Sequence, residues 1–496
     1  MLFNSLQYMI FLPVVLAVYY IIPDKMKHIW LLICSYFFYM CWNAVYALLI
    51  LFSTAATYLC ALLLERARKS TGNKDRRLEK LSLGLCLVLN LGILFYFKYF
   101  NFAVASINSV FARCGFAFSC PTFDIVLPVG ISFYTFQALG YTIDVYRGDI
   151  YAEKSFLRYA LFVSFFPQLV AGPIERSKNL LKQLAVPKKA DFNAMREGVL
   201  LILWGFFLKV VLSDRIAIFV DTVYGDSATY GGWYTITATL LFAVQIYCDF
   251  GGYSTIAVGS AKMLGVELME NFNTPYLSMS TAEFWRRWHV SLSTWFRDYV
   301  YIPLGGNRKG KARKYLNIMI TFGLSGLWHG AQWTYVFWGL LNGAYQVIGD
   351  MLRPLRDWGV KTFGLHRDSL GHKAVKMLVT FVLINFTWVF FRAPYLSAAF
   401  DMVRGMFTIA NPWILFDGSL YWCGLDQPNF NLMLLGIALL AGADICKYRG
   451  IKLRELIVKQ DAWCQSLVIA LSVSLILLFG IYGGSSGAAN FIYFQF

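Results

Sequence analysis

The chain has 496 residues, of which 58% are hydrophobic, 18% aromatic and only 15% charged, and its mean hydropathy is +0.55. That balance excludes a soluble globular or disordered protein and indicates an integral membrane protein. The net charge of +16 falls in loops between apolar segments, where the positive-inside bias places Lys and Arg, so it calls for no nucleic acid or other anionic partner.

The first apolar segment, Leu6 to Ile22, lacks a basic leader and a small-residue cleavage site. It reads as a retained helix rather than a signal peptide. Uncharged stretches at Leu81 to Phe97, Trp233 to Cys248 and Ala462 to Tyr482 are long enough to cross a hydrocarbon core of roughly 30 Å, and such unbroken runs fit helices, not a barrel. Basic stretches at 65–80, 175–196, 305–314 and 447–459 mark the cytoplasmic side. Counting between them predicts an all-α polytopic protein with roughly eleven to thirteen transmembrane or re-entrant helices. No repeat of 20 to 50 residues is present, which predicts a single membrane domain over 1–496. Within it we distinguish N-terminal helices (1–123), a motif-bearing core (124–346), C-terminal helices (347–482) and an aromatic tail (483–496).

The core opens with 124–146, interrupted by Pro128, Gly130 and Gly140, which reads as a broken or re-entrant helix, with a kinked span as the alternative. FFPQLVAGPIER (165–176) brings Pro167, Gln168, Pro173 and Glu175 together at a cavity rim or a helix end. QIYCDFGGYSTIAVG puts Asp249 at the end of an apolar run, where a carboxylate needs a partner, expected from an Arg or His of the next motif. That motif, NFNTPYLSMSTAEFWRRWHVSLSTWFRDYVYIPLGGNRKG (271–310), starts a helix at Thr281 and Glu283. It then alternates Arg286, Arg287, His289 and Arg297 with Trp285, Trp288 and Trp295. Such a segment lies at the headgroup level or, with the Gly305/Gly306 turn, attracts the phosphates of a donor such as coenzyme A.

Histidine occurs five times in the chain, and His329 stands in TFGLSGLWHGAQWTYVFWG without a charged neighbour. Burying an imidazole there is costly unless it serves chemistry or meets a partner between helices. Trp328 and Trp333 are candidates to wall a pocket around it. Ten cysteines are scattered with no CxxC or Cys/His cluster, which argues against structural zinc. Cys114 and Cys120 share a predicted outer loop, a spacing compatible with a disulfide without establishing one. After Asp461 the last helix should deliver GGSSGAANFIYFQF to the extracytoplasmic face.

The ordered motifs VLPVGISFYTFQALGYTIDVYRG, FFPQLVAGPIER, the 271–310 segment, LSGLWHGAQWTYVFWG and NFTWVFFRA (385–393) resemble the signatures of the membrane-bound O-acyltransferase superfamily, and most of all its bacterial, polysaccharide-acetylating branch. The resemblance implies a ring of helices around a funnel, with the family's central histidine at His329 and its second at His289. It implies transfer of an acyl group, usually acetyl, from a cytoplasmic thioester (acetyl-CoA or a carrier-bound acyl group) to an exported polysaccharide at the bacterial cytoplasmic (inner) membrane. An extracytoplasmic SGNH-type partner is implied as well. Candidate donor-binding residues are Trp285, Arg286, Arg287, Trp288, Asp249, Trp328, Gln332 and Arg297. His329 is expected to act as general base deep in the funnel and His289 to sit nearer the cytoplasmic mouth. One departure stands out: relatives often read DFSGYSD where this chain has DFGGYST, so no role carries over to a second carboxylate at Thr255.

The tail is similar to the aromatic end of a small partner in the branch that D-alanylates teichoic acids, which implies Tyr493 as a candidate acyl relay. A phenol accepts and releases an acyl group readily because its pKa near 10 makes it a better leaving group than an alkanol. Phe491, Phe494 and Phe496 would anchor it, and an aromatic plug is the plainer alternative. Two rival functions remain open at this point: D-alanyl transfer with an acyl carrier protein, and a transporter with His329 in a proton or substrate path.

Overall fold

The computed structural model describes residues 1–71, 76–116, 119–170, 172–482 and 491–492. Among them the secondary structure is helical, without a strand. Five helices are long and apolar enough to cross a bilayer: Tyr46–Lys69, Arg77–Arg113, Leu370–Arg392, Gln427–Tyr448 and Ala462–Phe479, with Leu6–Ile21 a shorter apolar helix. Shorter helices surround these, so the expected all-α membrane architecture holds. All ten cysteines are free, Cys114 and Cys120 included.

The chain divides into two compact units, residues 1–199 with 257–269, and residues 200–256 with 270–496. In the first, Ser5 starts the helix Leu6–Ile21 by accepting the N–H of Tyr8 at 3.3 Å. Buried hydroxyl and amide pairs stitch its helices together: Ser53 to Asn90 at 2.6 Å, Tyr159 to Thr57 at 2.8 Å and Tyr8 with Ser260 at 2.5 Å. Each satisfies polar groups that would be costly to leave dry.

The segment expected to be broken is half so. An irregular lead-in ends at Gly130, whose φ of 75° is left-handed and whose close neighbour is the Leu169 carbonyl. The helix Ile131–Arg147 then runs without interruption through Gly140. Arg68 closes its far end, donating to the carbonyls of Val145 and Tyr146 at 2.9 and 2.6 Å. FFPQLVAGPIER forms a helix end and a four-residue helix, Phe166–Leu169.

The second unit holds Asp249 and the motifs at 271–310, 321–339 and 385–393. Its helix Phe192–Phe206 runs on through a π-helical stretch, Phe207–Ser213, into Asp214–Gly225. The 31-residue helix Trp233–Met263 crosses it. Glycines make the crossing close: a Cβ on Gly252 would stand 2.8 Å from the Gly205 carbonyl oxygen, and one on Gly205 2.7 Å from that of Gly252. Neither position has room for a methyl group without moving backbone. A second pair, Gly310–His329 and Trp333–Met351, packs the same way. Side chains on Gly326 or Gly339 would collide with the carbonyls of Tyr335 and Phe322.

Gly251, by contrast, faces only ordinary contacts at 3.6 Å and beyond. Gly252→Ala is therefore expected to lower the stability of the detergent-purified protein by about 1–3 kcal/mol, while Gly251→Ser leaves its thermal unfolding midpoint unchanged. A thermal scan of the two variants side by side checks this.

Candidate active site

The two histidines reach one place by different routes. His329 is the last residue of Gly310–His329 and is 2% exposed. Its Nδ1 lies 2.7 Å from the carbonyl oxygen of Ser325, one turn back. A carbonyl only accepts, so that nitrogen carries the proton and Nε2 the basic lone pair of the neutral ring.

His289 interrupts a helix. The capping residue Ser280 accepts the N–H of Glu283 at 3.1 Å while Glu283 accepts that of Met279 at 2.9 Å, which starts Thr281–Arg287. At His289 the backbone turns left-handed, with φ 43° and ψ 55°, before the helix resumes as Val290–Phe296. This conformation costs a non-glycine residue roughly 1–2 kcal/mol. Asn271 holds it: its carbonyl accepts the N–H of Val290 at 3.0 Å, and its Oδ1 accepts from Ser291 Oγ at 2.7 Å. The Arg287 carbonyl accepts the N–H of Asn273 at 2.9 Å.

This corner buries the His289 ring fully and sets it 6.5 Å from the ring of His329, centre to centre. Aromatic rings enclose both: Trp328 lies 5.0 Å from His329 and 5.9 Å from His289, Trp338 4.9 Å and Phe391 5.7 Å from His329, and Phe250 4.6 Å from His289. Trp288 is buried against Phe284, Trp388 and Phe272, and Trp285 packs edge-on to Trp338 at 5.6 Å. Dry walls of this kind strengthen any charge interaction formed inside them.

The remaining candidates divide. Arg287 is engaged by Glu283 at 2.8 Å and Thr274 at 2.9 Å and lies over the Tyr448 ring. Arg286 is exposed, and Arg297 is exposed and paired with Asp298. Gln332 and Trp333 are exposed at the start of Trp333–Met351, so of the two tryptophans expected to wall the histidine site Trp328 does so and Trp333 does not. The Gly305/Gly306 turn is fastened by Asn317, whose Nδ2 donates to the Gly306 carbonyl at 2.9 Å.

Asp249 does have its cation, but not the Arg or His expected. Lys209, from the π-helical stretch, donates to Asp249 Oδ1 at 2.5 Å and pairs with Asp214 at 2.8 Å. All three are buried. Lys209 and Asp214 were overlooked in the sequence, although a lysine and an aspartate inside FFLKVVLSDRIAIF are the signal for an intramembrane pair. The other oxygen of Asp249 accepts the backbone N–H of Ile492 at 2.7 Å, and Phe491 packs 4.4 Å from the ring of Tyr253 and 6.0 Å from that of Phe250. Tyr493, Phe494 and Phe496 lie outside the described residues. Thr255 bonds back to the Gly251 carbonyl at 2.6 Å and supplies no second carboxylate.

The fold thus brings two buried histidines side by side behind aromatic walls in a helical membrane protein. Comparison with known proteins places the chain in a family. Residues 150–391 match MBOAT, the membrane-bound O-acyltransferase family. The chain is 35% identical to the probable alginate O-acetylase AlgI of Pseudomonas putida, covering 100% of both chains. It is 39% identical to the probable alginate O-acetylase AlgI of Azotobacter vinelandii over 90% of this chain and 85% of the relative. With the peptidoglycan O-acetyltransferase of Helicobacter pylori it shares 32% identity over 82% of this chain and 80% of the relative. The chain belongs to the membrane-bound O-acyltransferase family, and it is an enzyme rather than a transporter.

Two outcomes follow from the charges and the backbone. Lys209→Met, which strands two buried carboxylates, should cost about 3–5 kcal/mol and cut the amount of folded protein. Asp214→Asn leaves a neutral Lys209–Asp249 pair and should unfold near the wild-type temperature. His289→Asn, whose side chain tolerates the left-handed corner, should accumulate normally and lose acyl transfer; membrane abundance and acetyl content of the product measure the two effects separately.

Proposed function

We propose that this protein moves an acetyl group from a cytoplasmic thioester, either acetyl-CoA or an acyl carrier protein, across the bacterial cytoplasmic membrane for O-acetylation of an exported polysaccharide. His329 is the general base and Tyr493 the acyl relay. The observation that carries the choice of base is the bond from His329 Nδ1 to the Ser325 carbonyl, which leaves Nε2 to accept a proton. The names of the relatives, alginate O-acetylases and a peptidoglycan O-acetyltransferase, support acetyl as the group and a glycan as the acceptor.

In this reading His329 Nε2 takes the phenolic proton of Tyr493 as its oxygen attacks the thioester carbonyl. The C–S bond breaks, the thiolate leaves with the proton returned by the imidazolium, and an acetyl ester remains on Tyr493. An acceptor hydroxyl then attacks that ester and restores the phenol. An extracytoplasmic SGNH-type transferase completes delivery to the polymer. The oxyanion needs a donor. The indole N–H of Trp338 suits this role, because it is buried, has no hydrogen-bond partner among the described residues, and its ring touches that of His329. The relay draws support from Phe491 and Ile492, the residues just before Tyr493, which are both buried beside Tyr253 and Asp249.

At normal membrane abundance, His329→Ala and Tyr493→Phe should each reduce acetylation of the exported glycan by at least about 100-fold, and Trp338→Phe, which keeps the ring but loses the donor, by a comparable factor. Full acetylation with His329→Ala would end the assignment of the base. Labelled acetyl-CoA and a labelled acyl carrier supplied to membrane vesicles distinguish the two donors, and labelled D-alanyl carrier tests the rival acyl group.

A further inference from the structure

We infer that Asp249 is a positioning residue whose carboxylate holds the chain's own C-terminal segment by the backbone N–H of Ile492, and so sets where the next residue stands; the consequence for transfer rests on the relay reading of Tyr493. The two oxygens of Asp249 have different partners. Oδ1 takes the ammonium of Lys209 at 2.5 Å and Oδ2 takes the N–H of Ile492 at 2.7 Å.

Several features make this a built site. The carboxylate stands one turn from the Gly205/Gly252 crossing, the close approach that brings Lys209 within reach. Lys209 is shared with Asp214, so two carboxylates face one ammonium and an N–H dipole aimed at Asp249 offsets part of the excess negative charge. The tail's side chains lock beside it: Phe491 is fully buried against Tyr253, and Ile492 is 4% exposed. The start of the C-terminal segment is fastened to the same π-helical stretch and the helix after it, since Ile481 donates its N–H to the Val210 carbonyl at 2.9 Å and Arg215 of Asp214–Gly225 donates to the Phe479 carbonyl at 2.8 Å. A backbone contact of this sort reads position, not side-chain identity. An apolar plug would be held by its phenylalanines alone and would need no ionised acceptor.

Phe250 links the two places: one neighbour of its ring is Phe491 and another is His289. The clamp at Ile492 and the histidine cluster therefore share a wall through Phe250.

The test is hydrogen exchange by mass spectrometry on the purified full-length enzyme, together with acetyl transfer in cells. In the wild type the peptide containing Ile492 should exchange slowly. Asp249→Asn should speed exchange of that peptide by about 10- to 100-fold, the span of a hydrogen bond to a charged group, without matching acceleration in Gly310–His329. Ile492→Pro and Ile492→Ala both remove the buried isoleucine side chain, but only Ile492→Pro deletes the N–H, so its transfer should fall by a similar factor while Ile492→Ala should retain most transfer. Tyr493→Phe should keep the tail protected. Unchanged protection in Asp249→Asn, or equal transfer by Ile492→Pro and Ile492→Ala, would overturn the inference. If Asp249→Asn fails to accumulate, the two Ile492 variants decide. A fully active, protected Tyr493→Phe enzyme would sink the relay alone and leave the clamp standing.

Discussion

The ammonium of Lys209, buried between Asp214 and Asp249, is the interaction on which the arrangement of the second unit depends. Taking three charges out of water is expensive, and the attraction between them compensates only when the geometry is close and the leftover lone pairs are satisfied. At Asp249 the protein meets both conditions with backbone. Two glycines let the helices touch so that Lys209 reaches Asp249, and the C-terminal stretch of chain at Phe491 and Ile492 supplies the last donor. The π-helical turn at Phe207–Ser213 belongs to the same solution: its extra residue per turn shifts side-chain register, and its Val210 carbonyl accepts the N–H of Ile481.

The histidine site is held by other means and remains free of charge. His329 is oriented by its own helix, and His289 by a strained corner that Asn271 fastens from outside the helix. Around them stand Trp328, Trp338, Phe391 and Phe250. Apolar walls of this kind keep the two imidazoles in a low-dielectric setting, where any charge or dipole brought beside them acts more strongly than it would in water.

Much of this was legible in the sequence, for reasons specific to each residue. Unbroken apolar runs announce helices, and Glu283 behind a small hydroxylated residue announces a helix start, because both signals are local. His329 and His289 are conspicuous as rare ionisable groups among aromatic ones. Their adjacency is not readable, since 40 positions separate them and only the corner at His289 brings the rings together. The need of Asp249 for a cation could be read; the identity of that cation could not, because Lys209 lies in a different helix and reaches Asp249 only through a glycine crossing. Gly140 misled in the other direction, as a glycine inside a helix leaves no local sign that the helix continues through it. Gln332 and Trp333 share a motif with His329 but, beyond the helix end, turn outward to solvent or lipid.

The hairpin formed by Gly310–His329 and Trp333–Met351 has one more consequence. Its helices meet backbone to backbone at Gly326 and Gly339, with Phe322 and Tyr335 presenting carbonyl oxygens across the contact. Sliding or rotating one helix against the other would bring larger residues into a gap sized for hydrogen atoms, so the pair can move only as one body. His329 and Trp338, one on each helix, are therefore held 4.9 Å apart, ring to ring, by a contact made elsewhere in the pair. The spacing of the two rings is thus a property of the helix pair and its glycines, not of the residues around the rings.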